Sequence, residues 1–391
     1  MGIISNERIK DLTHEEAARY ERHIVLPEIG IEGQKKLKAS RVLIVGAGGL
    51  GAPVALYLAA AGAGVIGIAD FDRVETSNLQ RQVIYGLNDA GKLKTQAASR
   101  RIKELNPFVE VKTYDVKLSA DNAVKILKDY DIVADCSDNF ASRYLINDVC
   151  ALLGIADVYG SVLGFEGQAG VFYAKNRPCY RCMHPLAPPS ASVPSCSQEG
   201  VLGALCAVTG GIQACEIIKF ICQSGESLAG RLLSYNVLTM KFKEFKIEKD
   251  PKCVLCGSNP SLKSLEDIAD YDYFCNENAS ADAAEEEQVL TLTPKELKSL
   301  MEKDEYLNII DIRYPYERAV FEFPNAKIIP FEKLICSINE LNPSKKTVLI
   351  CKIGKRSIAA IQELKKAGYK GKVYNLKGGA AAWINEVEIC R

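Results

Sequence analysis

Three groups of residues in this 391-residue sequence have the types and spacing to do chemistry. The first begins with Gly46, Gly48 and Gly51, at G-x-G-x-x-G spacing directly after the apolar run Val42 to Val45. Gly46 suits a tight turn, Gly48 lets backbone approach a phosphate, and Gly51 permits close helix–strand packing with the helix N-terminus facing the anion. Asp70 follows about 20 residues later, where an acid can hold ribose hydroxyls. This much fits a dehydrogenase dinucleotide as well as a mononucleotide. The next stretch, Ser77-Asn78-Leu79-Gln80-Arg81-Gln82 followed by Lys92 and Lys94, supplies cations and amides that neutralise a triphosphate, where a dehydrogenase needs to bind only a pyrophosphate. Asp138, in Asp135-Cys136-Ser137-Asp138-Asn139, is a hard oxygen donor of the kind magnesium takes beside phosphates. An aspartate just before a helix also serves as a cap, so both roles stay open.

The second group is two C-x-x-C pairs, Cys179/Cys182 and Cys253/Cys256, with 70 residues between the inner cysteines. Four thiolates in two pairs suit tetrahedral zinc, and with no further donor nearby the site reads as closed and structural. The third group is the thiols. Cys351 opens Cys351-Lys352-Ile353-Gly354-Lys355-Arg356-Ser357 between a strand and a helix, so backbone N–H groups and three cations surround the sulfur. That setting stabilises anionic sulfur, in a thiolate or a persulfide. The same loop shape also suits phosphate, which makes a phosphatase the nearest chemical rival. Cys196 stands in Val193-Pro194-Ser195-Cys196-Ser197, among prolines and serines, and is a second candidate nucleophile.

These groups need elements to hold them. Strands at Val42 to Val45, Val65 to Ala69 and Ile132 to Ala134 alternate with helices over Pro53 to Ala61, Lys94 to Leu105 and Phe140 to Val149. Alternation continuing to Tyr173 predicts an α/β fold with a doubly wound, mostly parallel sheet. A charged helix is expected over Glu15 to Arg22, and Val201 to Cys222, broken by Glu216 and Lys219, reads as a core helix rather than a membrane span. Between Glu266 and Glu287 there are nine acidic residues and no basic ones, a solvated linker in which Tyr271, Tyr273 and Phe274 could dock on a domain. Past Gln288 a smaller α/β unit begins, with Thr293 capping a helix that has Pro294 in its first turn. The expected organisation is therefore 1–260, an acidic linker 261–287, and 288–391. Lys plus Arg and Asp plus Glu balance at 49 each, which gives no global field for nucleic acid or an anionic membrane. Fourteen cysteines and no signal-peptide pattern suit metal ligands and reactive thiols in a reducing compartment, the cytoplasm.

Arg19-Tyr20-Glu21-Arg22, the glycine turn, Ser77 to Gln82, Ser137-Asp138-Asn139, Phe165-Glu166-Gly167-Gln168, Pro178-Cys179-Tyr180-Arg181-Cys182 and the Cys253/Cys256 pair together resemble the MoeB/ThiF family over about residues 19–257. That family comprises ATP-dependent activators of sulfur-carrier proteins, related to ubiquitin-activating enzymes. The resemblance implies that Gly49, Asp70, Asn78, Arg81, Lys94, Asp138 and Asn139 contact ATP and its magnesium. It also implies that Arg22 reaches the ATP of the other subunit in a homodimer, and that Cys196 falls where some members use a thiol for acyl or sulfur transfer. His23 departs from the family, which usually has Gln there. Residues 288–391 resemble the rhodanese family through Ile310-Asp311-Ile312-Arg313, the Cys351 loop in its short form, and Leu376-Lys377-Gly378-Gly379-Ala380-Ala381-Ala382-Trp383. They depart from it around Glu317 to Asn325, where Phe323-Pro324-Asn325 replaces a common His-Ile-Pro-Gly segment.

The joint expectation is adenylation of the C-terminal glycine of a small MoaD/ThiS-like carrier. Sulfur then passes from a Cys351 persulfide, charged by a persulfide or thiosulfate donor, to give a thiocarboxylate for molybdenum-cofactor, thiamine, cysteine or tRNA chemistry. The alternatives are a nicotinamide-dependent oxidoreductase and a non-catalytic, zinc-braced scaffold for the carrier.

Overall fold

The computed structural model describes residues 4–175, 177–185, 200–268, 271, 289–303, 307–318, 321–338 and 341–388. Cys196 and most of the acidic segment lie outside them. Contacts divide the chain into two compact units, 1–281 and 282–391.

The first unit is built on β1 (Arg41–Val45), β2 (Val65–Ala69), β3 (Glu110–Tyr114), β4 (Ile132–Asp135), β5 (Ala156–Leu163), β6 (Glu166–Phe172), β7 (Arg231–Asn236) and β8 (Lys241–Lys246). Their order in the sheet is β3-β2-β1-β4-β5-β6-β7-β8. The first five are parallel and the last three antiparallel. β1 and β4 are buried on both sides, which is why they read as unbroken apolar runs. The strand order reverses between β1 and β4, so the glycine turn and the Asp135–Asn139 turn open at the same crevice. The helix–strand alternation expected as far as Tyr173 stops at Leu163. Gly164, at φ +58°, and Phe165 make a two-residue turn between β5 and β6, so the chain doubles back as a hairpin instead of crossing over.

The helices are α1 (His14–Arg19), α2 (Glu21–Ile24), α3 (Gly30–Ala39), α4 (Gly51–Ala61), α5 (Lys94–Leu105), α6 (Ala120–Leu127), α7 (Phe140–Leu153), α8 (Tyr180–Met183) and α9 (Gly203–Cys222). The single helix expected over Glu15 to Arg22 is two. It breaks at Tyr20, whose buried hydroxyl accepts a hydrogen bond from Asn106 Nδ2 at 2.8 Å. One apolar layer, with Leu58, Ile102 and Ile217, covers one face of the sheet through α4, α5 and α9. The other, with Leu127, Ile146 and Tyr159, covers the opposite face through α6 and α7. α9 is long and apolar enough to cross a membrane by composition, yet Leu205, Ala214, Ile217 and Ile221 are buried against the protein, as expected of a core helix.

The second unit is a five-stranded parallel sheet of β9 (Leu290–Leu292), β10 (Leu307–Asp311), β11 (Lys327–Ile328), β12 (Lys346–Ile350) and β13 (Val373–Leu376), in the order β11-β10-β12-β13-β9. Its helices are α10 (Pro294–Glu302), α11 (Pro315–Arg318), α12 (Lys355–Lys366) and α13 (Gly379–Trp383). α10 starts as its sequence dictates: Thr293 Oγ1 accepts from Glu296 N, and the Glu296 carboxylate accepts from Thr293 N.

Candidate active sites

At the β1/β4 switch point of the first unit lies a cavity of about 490 Å³. Gly46, Gly48, Gly49, Asp70, Asn78, Arg81, Lys94, Asp138 and Asn139 line it together. Gly46 has φ +94°, and a Cβ there would sit 2.7 Å from the Cys136 carbonyl oxygen, so the turn admits only glycine. The Asp70 carboxylate accepts from Ala47 N and Asp72 N, each at 2.8 Å, and so ties the glycine turn to the end of β2. Lys94, 5 % exposed at the start of α5, pairs with Asp72 at 2.7 Å. Arg81 donates to Asn78 Oδ1 at 2.8 Å. Asn139 rather than Asp138 caps α7, accepting from Ser142 N at 2.9 Å, which leaves the exposed Asp138 carboxylate at the cavity. The lining thus carries cations for phosphate and a carboxylate suited to a divalent ion.

Five of the expected residues stand elsewhere. Gly51 lies behind the turn, where a Cβ would come within 2.0 Å of the Gly46 carbonyl oxygen: it serves packing. Ser77 donates to Glu75, Leu79 packs on the core, and Gln80 abuts Gly203 at the start of α9. Arg22 is exposed on α2, outside the cavity. The structure adds Arg143 and Cys206 to the lining. Arg143, at the end of the first turn of α7, was legible only as one of many helical arginines. Cys206 comes from α9, and nothing in its sequence context pointed there.

In the same unit, the sulfurs of Cys179, Cys182, Cys253 and Cys256 lie within 4.8 Å of one another. The contacts Cys179–Cys182, Cys179–Cys253 and Cys182–Cys256 measure 3.9, 3.5 and 3.4 Å, close to the edge of about 3.8 Å for a tetrahedron with zinc–sulfur bonds of about 2.3 Å. Hydrogen bonding within the cluster pulls the Cys182 and Cys253 thiols down and pushes Cys179 and Cys256 up, as four thiols crowded together share their protons. The knuckle is held by α7: Asn147 Oδ1 accepts from Tyr180 N at 2.7 Å, and Asp148 accepts from Arg181 Nε and NH2 at 2.8 and 2.7 Å. Tyr271, 9 % exposed, donates its hydroxyl to the same Asp148 and packs its ring 5.4 Å from the Arg181 guanidinium.

In the second unit Cys351 follows β12 and is 1 % exposed. Its sulfur accepts from Gly354 N at 3.1 Å and lies 3.4 Å from Ser357 Oγ. Gly354 caps α12 at φ +89°, and beside it Gly379 would drive a Cβ to 2.3 Å from the Cys351 carbonyl oxygen. That carbonyl and the next accept from Ala380 N and Ala381 N, so α13 anchors the loop from outside while the Gly354 amide turns to the sulfur. Arg356 pairs with the buried Glu317 and lies over the Tyr314 ring at 5.1 Å.

A nucleotide-sized cavity at the switch point of a doubly wound sheet, in one chain with a thiol at a strand–helix loop, defines an α/β group-transfer enzyme. The chain belongs to the ThiF family, which matches residues 20–255, and a rhodanese-like domain matches residues 293–386. It is 43 % identical over 385 residues to a probable adenylyltransferase/sulfurtransferase MoeZ of Mycobacterium tuberculosis, covering 96 % of this chain and 95 % of that one. It is 46 % identical over 268 residues to a sulfur carrier protein adenylyltransferase of Thermus thermophilus, covering 67 % and 98 %. An adenylyltransferase and sulfurtransferase MOCS3 of Culex quinquefasciatus is 39 % identical over 399 residues, covering 97 % and 90 %. Among solved structures, E. coli MccB with MccA-N7isoASN matches with a TM-score of 0.56 at 23 % identity, over 65 % of this chain and 77 % of that one, a likeness of fold.

Proposed function

We propose that the first unit uses ATP to adenylate the C-terminal glycine carboxylate of a small ubiquitin-like sulfur carrier, and that the second unit delivers sulfur to it from Cys351. The observation that carries this is one cavity uniting the glycine turn, Asp70, Arg81, Lys94 and Asp138, in a chain that also holds the Cys351 loop. ATP is required because a carboxylate is a poor electrophile and AMP is a far better leaving group. The carboxylate oxygen attacks the α-phosphorus and pyrophosphate leaves. Arg81 and Lys94 offset the charge on the phosphates, and Asp70 holds the ribose. Asp138, with Asn139 beside it, would hold magnesium, which when bound neutralises phosphate charge. Arg22 acts on the ATP bound by the other subunit of a homodimer.

The terminal sulfur of a Cys351 persulfide then attacks the acyl carbon, AMP leaves, and an acyl disulfide forms. A second thiol attacks the Cys351 sulfur, releasing the thiocarboxylate and leaving a disulfide. Cys196 is the sequence candidate for that thiol, or for an acyl thioester before it. The four-cysteine knuckle would hold structural zinc, and its reduced thiolates suit the cytoplasm. The first domain, read from the sequence as 1–260, is proposed to extend at least through Tyr271, with the rest of the acidic segment to 287 joining it to 288–391.

The test incubates the protein with carriers ending in Gly-Gly, ATP and a persulfide or thiosulfate donor, and weighs the carrier by mass spectrometry. Wild type should yield thiocarboxylate. Cys351→Ala should stop at the adenylate with normal pyrophosphate exchange. Full donor-dependent thiocarboxylate synthesis by Cys351→Ala, with no free sulfide present, overturns the two-step reading.

A further inference from the structure

The turn that presents Asp138 is gripped from both sides by buried groups. On one side Asp135, at the end of β4, accepts from Ser137 N at 2.9 Å and from Ser137 Oγ at 2.6 Å. On the other, Arg143 NH2 donates to the Ser137 carbonyl oxygen at 3.4 Å and to Ser161 Oγ, on β5, at 3.0 Å. Arg143 is 9 % exposed, with its guanidinium 5.5 Å from the Phe140 ring centre and 5.2 Å from that of Tyr159. A buried guanidinium needs compensating charge. Asp135 contributes it, on the face under α7 where the β4/β5 register sets it opposite Tyr159; Asp157, opposite Val133 on that face, is pushed up by burial toward its neutral form.

Both hydrogens of the Arg143 NH2 group are thereby engaged by the turn and by β5. Asn139 fixes the following residue by capping α7, while the Asp138 carboxylate itself meets Asn139 Nδ2 at 3.4 Å and is exposed at the cavity. The backbone on either side of Asp138 is therefore locked by groups that lie beneath it.

We propose that Arg143 and Ser161 are positioning residues for the Asp138 carboxylate. Ser161 aims the guanidinium, the guanidinium holds the Ser137 carbonyl, and the peptide joining Ser137 to Asp138 sets where that carboxylate meets a divalent cation beside the phosphates. This rests on the reading of Asp138 given above.

The test is equilibrium calorimetry of ATP binding to the full-length protein, in chelator and across a series of magnesium concentrations, with Asp138→Ala as reference. Arg143→Ala and Ser161→Ala should raise the magnesium concentration for half-maximal tightening by about tenfold and about threefold, the size of one lost hydrogen bond to a charged and to a neutral partner. Ser161→Ala, which lies outside the cavity lining, should leave ATP affinity in chelator within about twofold of wild type on the same scale. Ser161→Thr, which keeps the hydroxyl, should behave as wild type. Circular dichroism and zinc content report folding, and Ser161→Ala decides the matter if Arg143→Ala does not fold. Chelator affinity that falls as far as magnesium-dependent affinity means a direct phosphate contact and overturns the positioning role, as does a Ser161→Ala variant identical to wild type. An Asp138→Ala variant that keeps the magnesium effect refutes the reading of Asp138 itself, and the positioning role with it.

Discussion

Gly49→Ala tests how tightly the wall of the nucleotide cavity is built. A Cβ on Gly49 would lie 2.8 Å from Cys206 Sγ, 3.4 Å from Cys206 Cβ and 3.5 Å from Arg81 Cγ. The first contact is well inside the ordinary separation of about 3.5–4.0 Å between non-bonded atoms. Cys206 is 1 % exposed within α9 and forms part of the cavity wall, so relieving the contact disturbs that wall. Overpacking of this kind costs about 1–3 kcal/mol, a fall of a few degrees in the melting temperature of a unit this size. Strain relieved on the other side pushes Arg81 from the cavity. A lost charged contact to nucleotide costs about 1.5–3 kcal/mol, about tenfold or more in ATP affinity. Removing the sulfur should undo both effects: in Gly49→Ala/Cys206→Ala the nearest remaining contact is the 3.4 Å one to Cβ. Differential scanning calorimetry and ATP titration of the four proteins of the cycle should show a favourable coupling of about 1–2 kcal/mol. Additivity within about 0.5 kcal/mol would refute the claim that Cys206 is what confines position 49 to glycine.

Mixed dimers of Arg22→Ala and Asp138→Ala subunits should regain part of the carrier-dependent pyrophosphate exchange that each homodimer lacks, because one of the two sites then has both residues; no recovery despite demonstrated subunit exchange rules out action across the dimer. Elemental analysis should find one zinc per chain, and Cys253→Ser should lower both metal content and melting temperature, since structural zinc contributes folding free energy directly. Cys196→Ala should keep pyrophosphate exchange and the isolated sulfurtransferase reaction but slow coupled thiocarboxylate formation; an undiminished coupled rate removes Cys196 from the pathway.

Features readable from the sequence were those whose physics is local. The glycine turn follows an apolar strand, each cysteine pair is set by a three-residue spacing, and the Thr293–Glu296 cap closes within one helical turn. What escaped depends on residues distant in the chain. Tyr20 breaks its helix because Asn106 holds its hydroxyl, and Cys206 reaches the cavity because α9 packs against α4. Arg143 was invisible for a subtler reason: helical periodicity says that a residue is on a face, but not which hydroxyl a neighbouring strand will offer it. The segment that departs from the rhodanese pattern spends its difference on packing. Phe323 is buried with its ring 4.7 Å from Trp383, and Asn325 takes the left-handed turn at φ +56°, so neither touches the thiol.

Tyr271 bears on how this protein can be taken apart. The ThiF match ends at residue 255 and the last knuckle sulfur belongs to Cys256, so a fragment severed just beyond them keeps every recognisable motif. It would nevertheless lose the phenol that closes over Asp148 and Arg181, uncovering a carboxylate and a guanidinium that brace the knuckle against α7. A buried tyrosine is worth several kcal/mol, about 3–5 for a large aromatic cut to alanine, so such a fragment would be a weakened protein before any chemistry was asked of it. Sluggish adenylation by that piece would measure the missing clasp rather than any dependence on the sulfur-bearing unit. An honest separation of the two activities must leave residue 271 with the first.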